Sequence, residues 1–306
     1  MSSAARRPRM LLVGGGGGFV GRAVLAEFGP TWSIRSLHRA PSRDEVAPDL
    51  EWVPGDAALV SDWRPLLRDV DLVLVLAWYR FGSERRFAPL ADGLLRLVAA
   101  AEAAGTSRFL HLSVPDAPES LETGLPYLAH KRRVDRAIEQ SRLSYSIVRP
   151  TMLFGPRDKL LTVMLGTMHR YHRFVMFGDG GYHVSPISVR DLARILAREA
   201  ALDVRHNVTA GGPTRWVYRE LTDAMFARLG RPPRYAHLSP RGGVRLARFL
   251  EAVRSTLLYA YEVEWLVSDR LGLAPYEGLP TPLAPVEPFL VAEAARLRGG
   301  RPAGRG

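Results

Sequence analysis

The sequence predicts an α/β protein, a doubly wound parallel sheet with a smaller C-terminal substrate lobe. Three observations carry this. Short apolar segments alternate with helical ones between residues 9 and 150. One of them, LVLVLAW, is apolar without a break, as suits a parallel strand buried on both faces. A run of glycines joins the first apolar segment to the first helical one.

The elements follow in order. RMLLV (9–13) is an apolar strand, and FVGRAVLAEFG carries apolar residues at helical spacing until Gly29-Pro30 stops it. WSIRSLHR and LEWVPGD read as the second and third strands. SDWRPLLRD reads as a short helix capped by Ser61 or Asp62. VDLVLVLAW is the fourth strand, and PLADGLLRLVAAAEAAG is an alanine- and leucine-rich helix ending at Gly105. SRFLHLSV, the helix PYLAHKRRVDRAIEQS and the strand LSYSIVRP complete the alternation. After Pro150 the rhythm changes to a helix, a turn-rich stretch, further helices and short strands, with a long apolar-rich helix or helix pair over 244–271. The expected organisation is a dinucleotide-binding core over 9–150, rejoined by 185–210. A substrate lobe is expected over 151–184 and 211–295, with disordered tails at 1–8 and 296–306.

Composition narrows the chemistry. The 306 residues contain no cysteine, which excludes disulfides and thiolate sites among them and is compatible with a reducing compartment; the cytoplasm is the expected setting. No apolar run is long enough to span a bilayer as a helix. The net charge of +11 is spread along the chain without an aromatic-interleaved basic stripe, so an anionic cofactor explains it better than nucleic acid does. His169 and His172 share a helical spacing but lack a nearby acidic partner, and no metal site is expected. A homodimer stays open.

The glycine loop VGGGGGFVG satisfies two phosphate-cradle frames, through Gly15, Gly18 and Gly21 or through Gly16, Gly18 and Gly21. Glycine permits the tight turn, lets the backbone approach a pyrophosphate and lets the helix N-terminus face the anion. The second strand ends SLHRAPSR, with no acid before Asp44 to take a ribose 2′-hydroxyl. Arg39, with Arg35 and Arg43 near it, suits a 2′-phosphate instead, so NADP(H) is favoured over NAD(H).

All but two of the 42 basic residues are arginine; the exceptions are Lys131 and Lys159. Lys131 follows Tyr127 by four residues, so the two share one helical face. Ser113 ends the preceding strand, and this spacing lets the serine and tyrosine hydroxyls meet over a nicotinamide. Proton donation to a carbonyl needs a group that titrates near neutrality. A nearby ammonium lowers a tyrosine toward that range.

These residues together resemble the extended and atypical short-chain dehydrogenase/reductases, a Rossmann-type family, and within it the NmrA-like and complex I accessory-subunit-like NAD(P)-binding proteins. The likeness covers roughly residues 9 to 235. It lies in LLVGGGGGFVG, IRSLHRAP, PGD at 54–56, LVLVLAW, GTSRFLHLSV, YLAHK as Y-x-x-x-K, SIVRPTMLFGP, FGDGGYHVSPISVRDLA and TAGGPTRWVYREL. The resemblance implies Tyr127 as acid/base, Lys131 as ribose and tyrosine partner, and Ser113 as the group polarising the substrate. It implies Gly15, Gly16, Gly18, Phe19, Val20 and Gly21 around the pyrophosphate, and Arg39 at the 2′-phosphate. Asp56 and Ala57 fall at the adenine, and Ala77 and Pro150 beside the cofactor. The chain departs from many members in lacking the helix-borne asparagine: its slot holds Leu90, and the single asparagine is Asn207. The implied activity is hydride transfer to or from a carbonyl or alcohol of a small organic substrate. The alternatives are an NAD-dependent sugar-nucleotide epimerase and a non-catalytic NADP(H)-binding sensor or assembly subunit.

Overall fold

A computed structural model describes residues 6–39, 49–79, 84–117, 125–252 and 259–299. The described chain divides into two compact units. The described residues within 1–114, 118–150 and 189–208 form the first; those within 115–117, 151–188 and 209–306 form the second.

The first unit is built on a seven-stranded sheet. Its strands are β1 (Arg9–Val13), β2 (Ser33–His38), β3 (Leu50–Pro54), β4 (Leu72–Val75), β5 (Arg108–Leu112), β6 (Tyr145–Pro150) and, last along the chain, β11 (Arg205–Ala210). Their order is β11-β6-β5-β4-β1-β2-β3, and the strands run parallel. The order reverses on either side of β1 and β4, the switch point at which open α/β sheets bind ligands. The core strands alternate faces. Leu11, Val13, Val73, Val75 and Phe109 pack with Leu90, Leu94 and Leu97 of α2 (Glu84–Ala103) and with Val134 and Ile138 of α3 (Pro126–Gln140). On the other side α1 (Phe19–Phe28) packs against α5 (Val189–Ala200). Residues such as Leu12 and Leu74 are fully buried because both sheet faces are covered.

Buried polar groups fasten the β11 edge. Arg108 donates to the Glu199 carbonyl from Nε (3.1 Å) and Nη2 (2.9 Å), and also to the Val204 carbonyl and to Ser144 and Ser146. The Glu199 carboxylate takes the Ser146 hydroxyl at 2.6 Å and meets His206 Nε2 at 2.7 Å. Asn207 donates to Glu139 at 2.8 Å, on this edge.

The second unit contains β7 (Leu153–Phe154), α4 (Leu160–Tyr171), β8 (Phe174–Phe177), β9 (His183–Val184) and β10 (Ile187–Ser188). It continues with β12 (Trp216–Val217), α6 (Tyr218–Arg228), β13 (Tyr235–Leu238), α7 (Pro240–Ala252), α8 (Ala260–Val267) and α9 (Glu287–Arg298). The strands form two-stranded pairs: β7 with β10, β9 with β12, and β8 with β13. Met152, Leu161, Met164, Leu165, Met168 and Met176 form its core with Leu221, Met225, Phe226 and Leu290.

Three sequence expectations change. SDWRPLLRD forms hydrogen-bonded turns and no helix, because Asp62 caps its own turn by accepting the Arg64 N–H at 3.0 Å and Pro65 has no N–H to donate. The C-terminal tail begins later than residue 296, since α9 runs to Arg298 with Leu290 and Ala294 buried. The lead is pinned at Arg6, which donates to the Asp71 carboxylate at 3.0 Å and to the Asp69 carbonyl at 2.9 Å. The rest of both expected tails, 1–5 and 300–306, lies outside the described residues, as do Arg43 and Asp44.

Candidate active site

The glycine loop leaves β1 at Gly14, whose N–H donates to the Leu37 carbonyl at 2.9 Å. Gly14 and Gly15 hold φ of +75° and +76°, where a side chain is strained. Gly18 turns back, donating to the Gly15 carbonyl at 2.7 Å, and is the N-cap of α1. A Cβ on Gly21 would overlap that same Gly15 carbonyl oxygen, so helix and loop meet this closely only without one. The contacts therefore centre on Gly15, Gly18 and Gly21. Gly16 lies where a Cβ would press on Ser36 and the Trp52 ring. Phe19 and Val20 form the first turn of α1, and no side chain caps that helix, which leaves its amide donors for an anion.

At the end of β2, the exposed Arg39 places its guanidinium 5.3 Å from the centroid of the Tyr79 ring, and Arg86 of α2 lies 4.5 Å from the same centroid. The Tyr79 hydroxyl donates to Asp56 at 3.0 Å, and the Ala58 N–H donates to the same carboxylate at 3.0 Å. Burial and then the bond to Asp56 push the Tyr79 pKa up, so the phenol stays protonated. Arg35 does not join this group: it donates to Glu51 at 2.9 Å and to the Leu66 carbonyl at 2.8 Å. Ala57 is buried beneath the turn, and Ala77 donates its N–H to the Val13 carbonyl at 2.8 Å, against Gly14. Pro150 closes β6.

Tyr127 and Lys131 do share a face of α3, and Trp78 joins them. The indole stacks on Phe87 (5.9 Å, 20°) and meets the Tyr127 ring edge-on (6.1 Å, 90°). Phe87 meets Tyr127 edge-on as well, at 5.7 Å. The Lys131 ammonium lies 4.4 Å from the centroid of the Trp78 ring. Lys131 is only 3% exposed. Burial lowers its pKa to about 7, with Asp135 pulling it up and Arg132 pushing it down. Near neutral pH this lysine exchanges a proton readily, which an arginine cannot do.

Ser113 is the third residue of the expected set. It lies buried after β5, but its hydroxyl donates to Oδ2 of Asp135 at 2.8 Å. In this arrangement its one proton is engaged by Asp135, and its lone pairs remain to accept from a hydroxyl. Sequence reasoning missed Asp135, Trp78, Tyr79 and Arg86. Asp135 follows Lys131 by four residues and was legible as a helix-face partner; the aromatic residues belong to the apolar run ending the fourth strand.

The profile of NAD(P)H-binding proteins matches residues 15–200, which includes the glycine loop, Tyr127 and Lys131. The chain belongs to this NAD(P)H-binding family. It is 25% identical over 257 residues to a 2-alkyl-3-oxoalkanoate reductase of Stenotrophomonas maltophilia, covering 72% of this chain and 76% of that protein. It is 30% identical over 132 residues to the UPF0659 protein YMR090W of Saccharomyces cerevisiae, covering 39% of this chain; the match spans 58% of the yeast protein's length. The fold resembles that of a nucleoside-diphosphate-sugar epimerase from Staphylococcus aureus (TM-score 0.74, 13% identity, 92% of this chain and 99% of that one). The Rossmann-type sheet of this NAD(P)H-binding protein is thus the fold that the resemblance implied.

Proposed function

We propose that this NAD(P)H-binding protein is an oxidoreductase that reduces a carbonyl of a small organic substrate, or oxidises the matching alcohol, and that it prefers NADP(H). The observation that carries the reading is the grouping of Tyr127 and Lys131 on Trp78, one phenol and one titratable ammonium on the same aromatic platform.

The residues present fit the nucleotide. Gly15, Gly18 and Gly21 make a cradle that a Cβ would fill, and the uncapped α1 N-terminus suits a pyrophosphate. When bound, the dinucleotide supplies a hydride to the carbonyl carbon. Tyr127 then gives its phenolic proton to the carbonyl oxygen, and the resulting phenolate regains a proton from solvent. Lys131 favours that phenolate while it is charged. Ser113 accepts a hydrogen bond, which suits the alcohol form of the substrate. Arg39 and Arg86 are the cations assigned to a 2′-phosphate, with Tyr79 as the platform between them. The second unit, with residues 151–184 and 211–295, is assigned to substrate selection. The name of the reductase relative puts 3-oxoalkanoates first among candidate substrates.

The test follows NADPH absorbance with a panel of 3-oxoalkanoates and other carbonyl compounds. Tyr127→Phe is expected to reduce kcat by at least 100-fold while NADPH still binds. Turnover unaffected by that change refutes the proposed acid. The inward donation of Ser113 favours one second reading, an NADP(H)-binding sensor; tight NADPH binding without turnover of any panel member supports it.

A further inference from the structure

The hydride chemistry leaves one buried charged cluster unused. Asp135, on α3 one turn beyond Lys131, is 1% exposed. Its Oδ2 accepts from the Ser113 hydroxyl at 2.8 Å, from Arg132 Nη1 at 2.8 Å and from Arg149 Nη2 of β6 at 3.3 Å. Its Oδ1 faces Nε2 of His111, on β5, at 3.4 Å. His111 is fully buried and its pKa falls to about 3, chiefly through burial, so it brings no charge. Glu139 lies 3.8 Å from Arg149, toward the surface. On the side of α3 toward α2, Glu84 meets His130 at 2.6 Å and Asp92 meets Arg133 at 2.7 Å. Lys131 thus shares its buried surroundings with two arginines and a neutral imidazole, and Asp135 is the carboxylate among them.

We propose that Asp135 is a positioning residue that acts through Lys131: it is the buried counter-charge that keeps this ammonium protonated beside Tyr127, and Ser113, Arg132 and Arg149 hold it in place. The proposal rests on the oxidoreductase reading only for its consequence in catalysis, because the electrostatic link exists in the protein alone. Neutralising Asp135 leaves Lys131 among like charges in a dry site, so its proton affinity falls. Removing Arg132 has the opposite sign.

The chain has two lysines, so the test can observe the ammonium directly. Full-length protein labelled with 13C at lysine Cε gives two resonances, and Lys159→Arg assigns them. A pH titration is expected to place the Lys131 midpoint near 7. Asp135→Asn is expected to lower it by about one pH unit, a tenfold loss of proton affinity, and Arg132→Gln to raise it. An unmoved or raised midpoint in Asp135→Asn overturns the proposal. Should that variant fail to fold, Asp135→Glu, which keeps the carboxylate, is expected to hold the Lys131 midpoint within about half a pH unit, and a fall of about one unit or more there overturns the proposal. In the active enzyme, the limb of the kcat/KM profile that falls with rising pH is expected to move down with the Lys131 midpoint in Asp135→Asn, which a merely structural role would not produce. A Lys131 midpoint that responds as expected in a protein without turnover defeats the oxidoreductase reading and leaves the link between Asp135 and Lys131 standing.

Discussion

Replacing Lys131 with methionine is expected to stabilise the protein while removing its function. The lysine is 3% exposed, and its pKa is lowered from 10.5 to about 7. Each pH unit of such a difference corresponds to about 1.4 kcal/mol, so at pH 7 the charged lysine costs about 4 kcal/mol of folding stability. The contact with Trp78 returns about 1–2 kcal/mol of this. Methionine keeps the apolar stem without the ammonium, for a net gain of about 2–3 kcal/mol, or roughly 5 °C in the unfolding temperature. The sign has a pH signature. A lysine whose folded pKa lies below its unfolded value binds fewer protons in the native state, so wild-type stability rises as pH climbs from about 7 to 10.5. The advantage of Lys131→Met therefore shrinks by about 2 kcal/mol between pH 7 and pH 9. Urea denaturation of both proteins at the two pH values measures this. A variant that is less stable at pH 7, or a difference that does not depend on pH, refutes the assignment of Lys131 as a buried, strained charge.

The remaining expectations concern the glycine loop, the nucleotide end and acid stability. Gly21→Ala forces a Cβ onto the Gly15 carbonyl and should lose about 1–3 kcal/mol in urea denaturation, together with NADPH binding by fluorescence titration. Gly166→Ala, mid-helix in α4 with open space around its Cβ, should instead gain up to about 1 kcal/mol in the same assay. Arg39→Ala and Arg86→Ala should each weaken NADPH about tenfold or more and leave NADH nearly unchanged; equal weakening of both removes the 2′-phosphate assignment. His111 titrates near 3 instead of 6.5, so the unfolded chain takes up its proton first and stability falls as pH drops from 6.5 toward 3, by about 1.4 kcal/mol per pH unit. His111→Phe should flatten that slope by one proton in denaturation curves measured between pH 6.5 and pH 4.

Much of the sheet was legible because its signals are local. An apolar run such as LVLV has one buried solution, and a Gly-rich turn between strand and helix has few geometries. Tyr127 and Lys131 were legible through a spacing that any helix converts into proximity. The bond from Ser113 to Asp135 was not legible, because hydroxyl direction depends on a partner 22 residues away across the α3–β5 packing. The Arg39–Tyr79–Arg86 group joins the end of β2, the segment after β4 and the first turn of α2, three places with no common period. The helix α9 was passed over because its run, EPFLVAEAARLR, buries only Leu290 and Ala294 and shows little periodic contrast.

The two kinds of buried cation explain why a chain that writes positive charge as arginine keeps a lysine here. At Arg108 the fold buries a guanidinium at 4% exposure, and each of its three nitrogens finds a carbonyl or hydroxyl acceptor. That satisfies a planar fork with five fixed donors, and it fixes the charge permanently. Trp78 instead offers Lys131 a ring face, which attracts a compact ammonium but gives a guanidinium fork few acceptors. Burial also brings the lysine pKa to about 7, whereas an arginine would stay charged across the physiological range. In the proposed mechanism the group beside Tyr127 is a compact ammonium on a ring face, and of the two basic side chains only lysine is brought to titrate near neutral pH by burial.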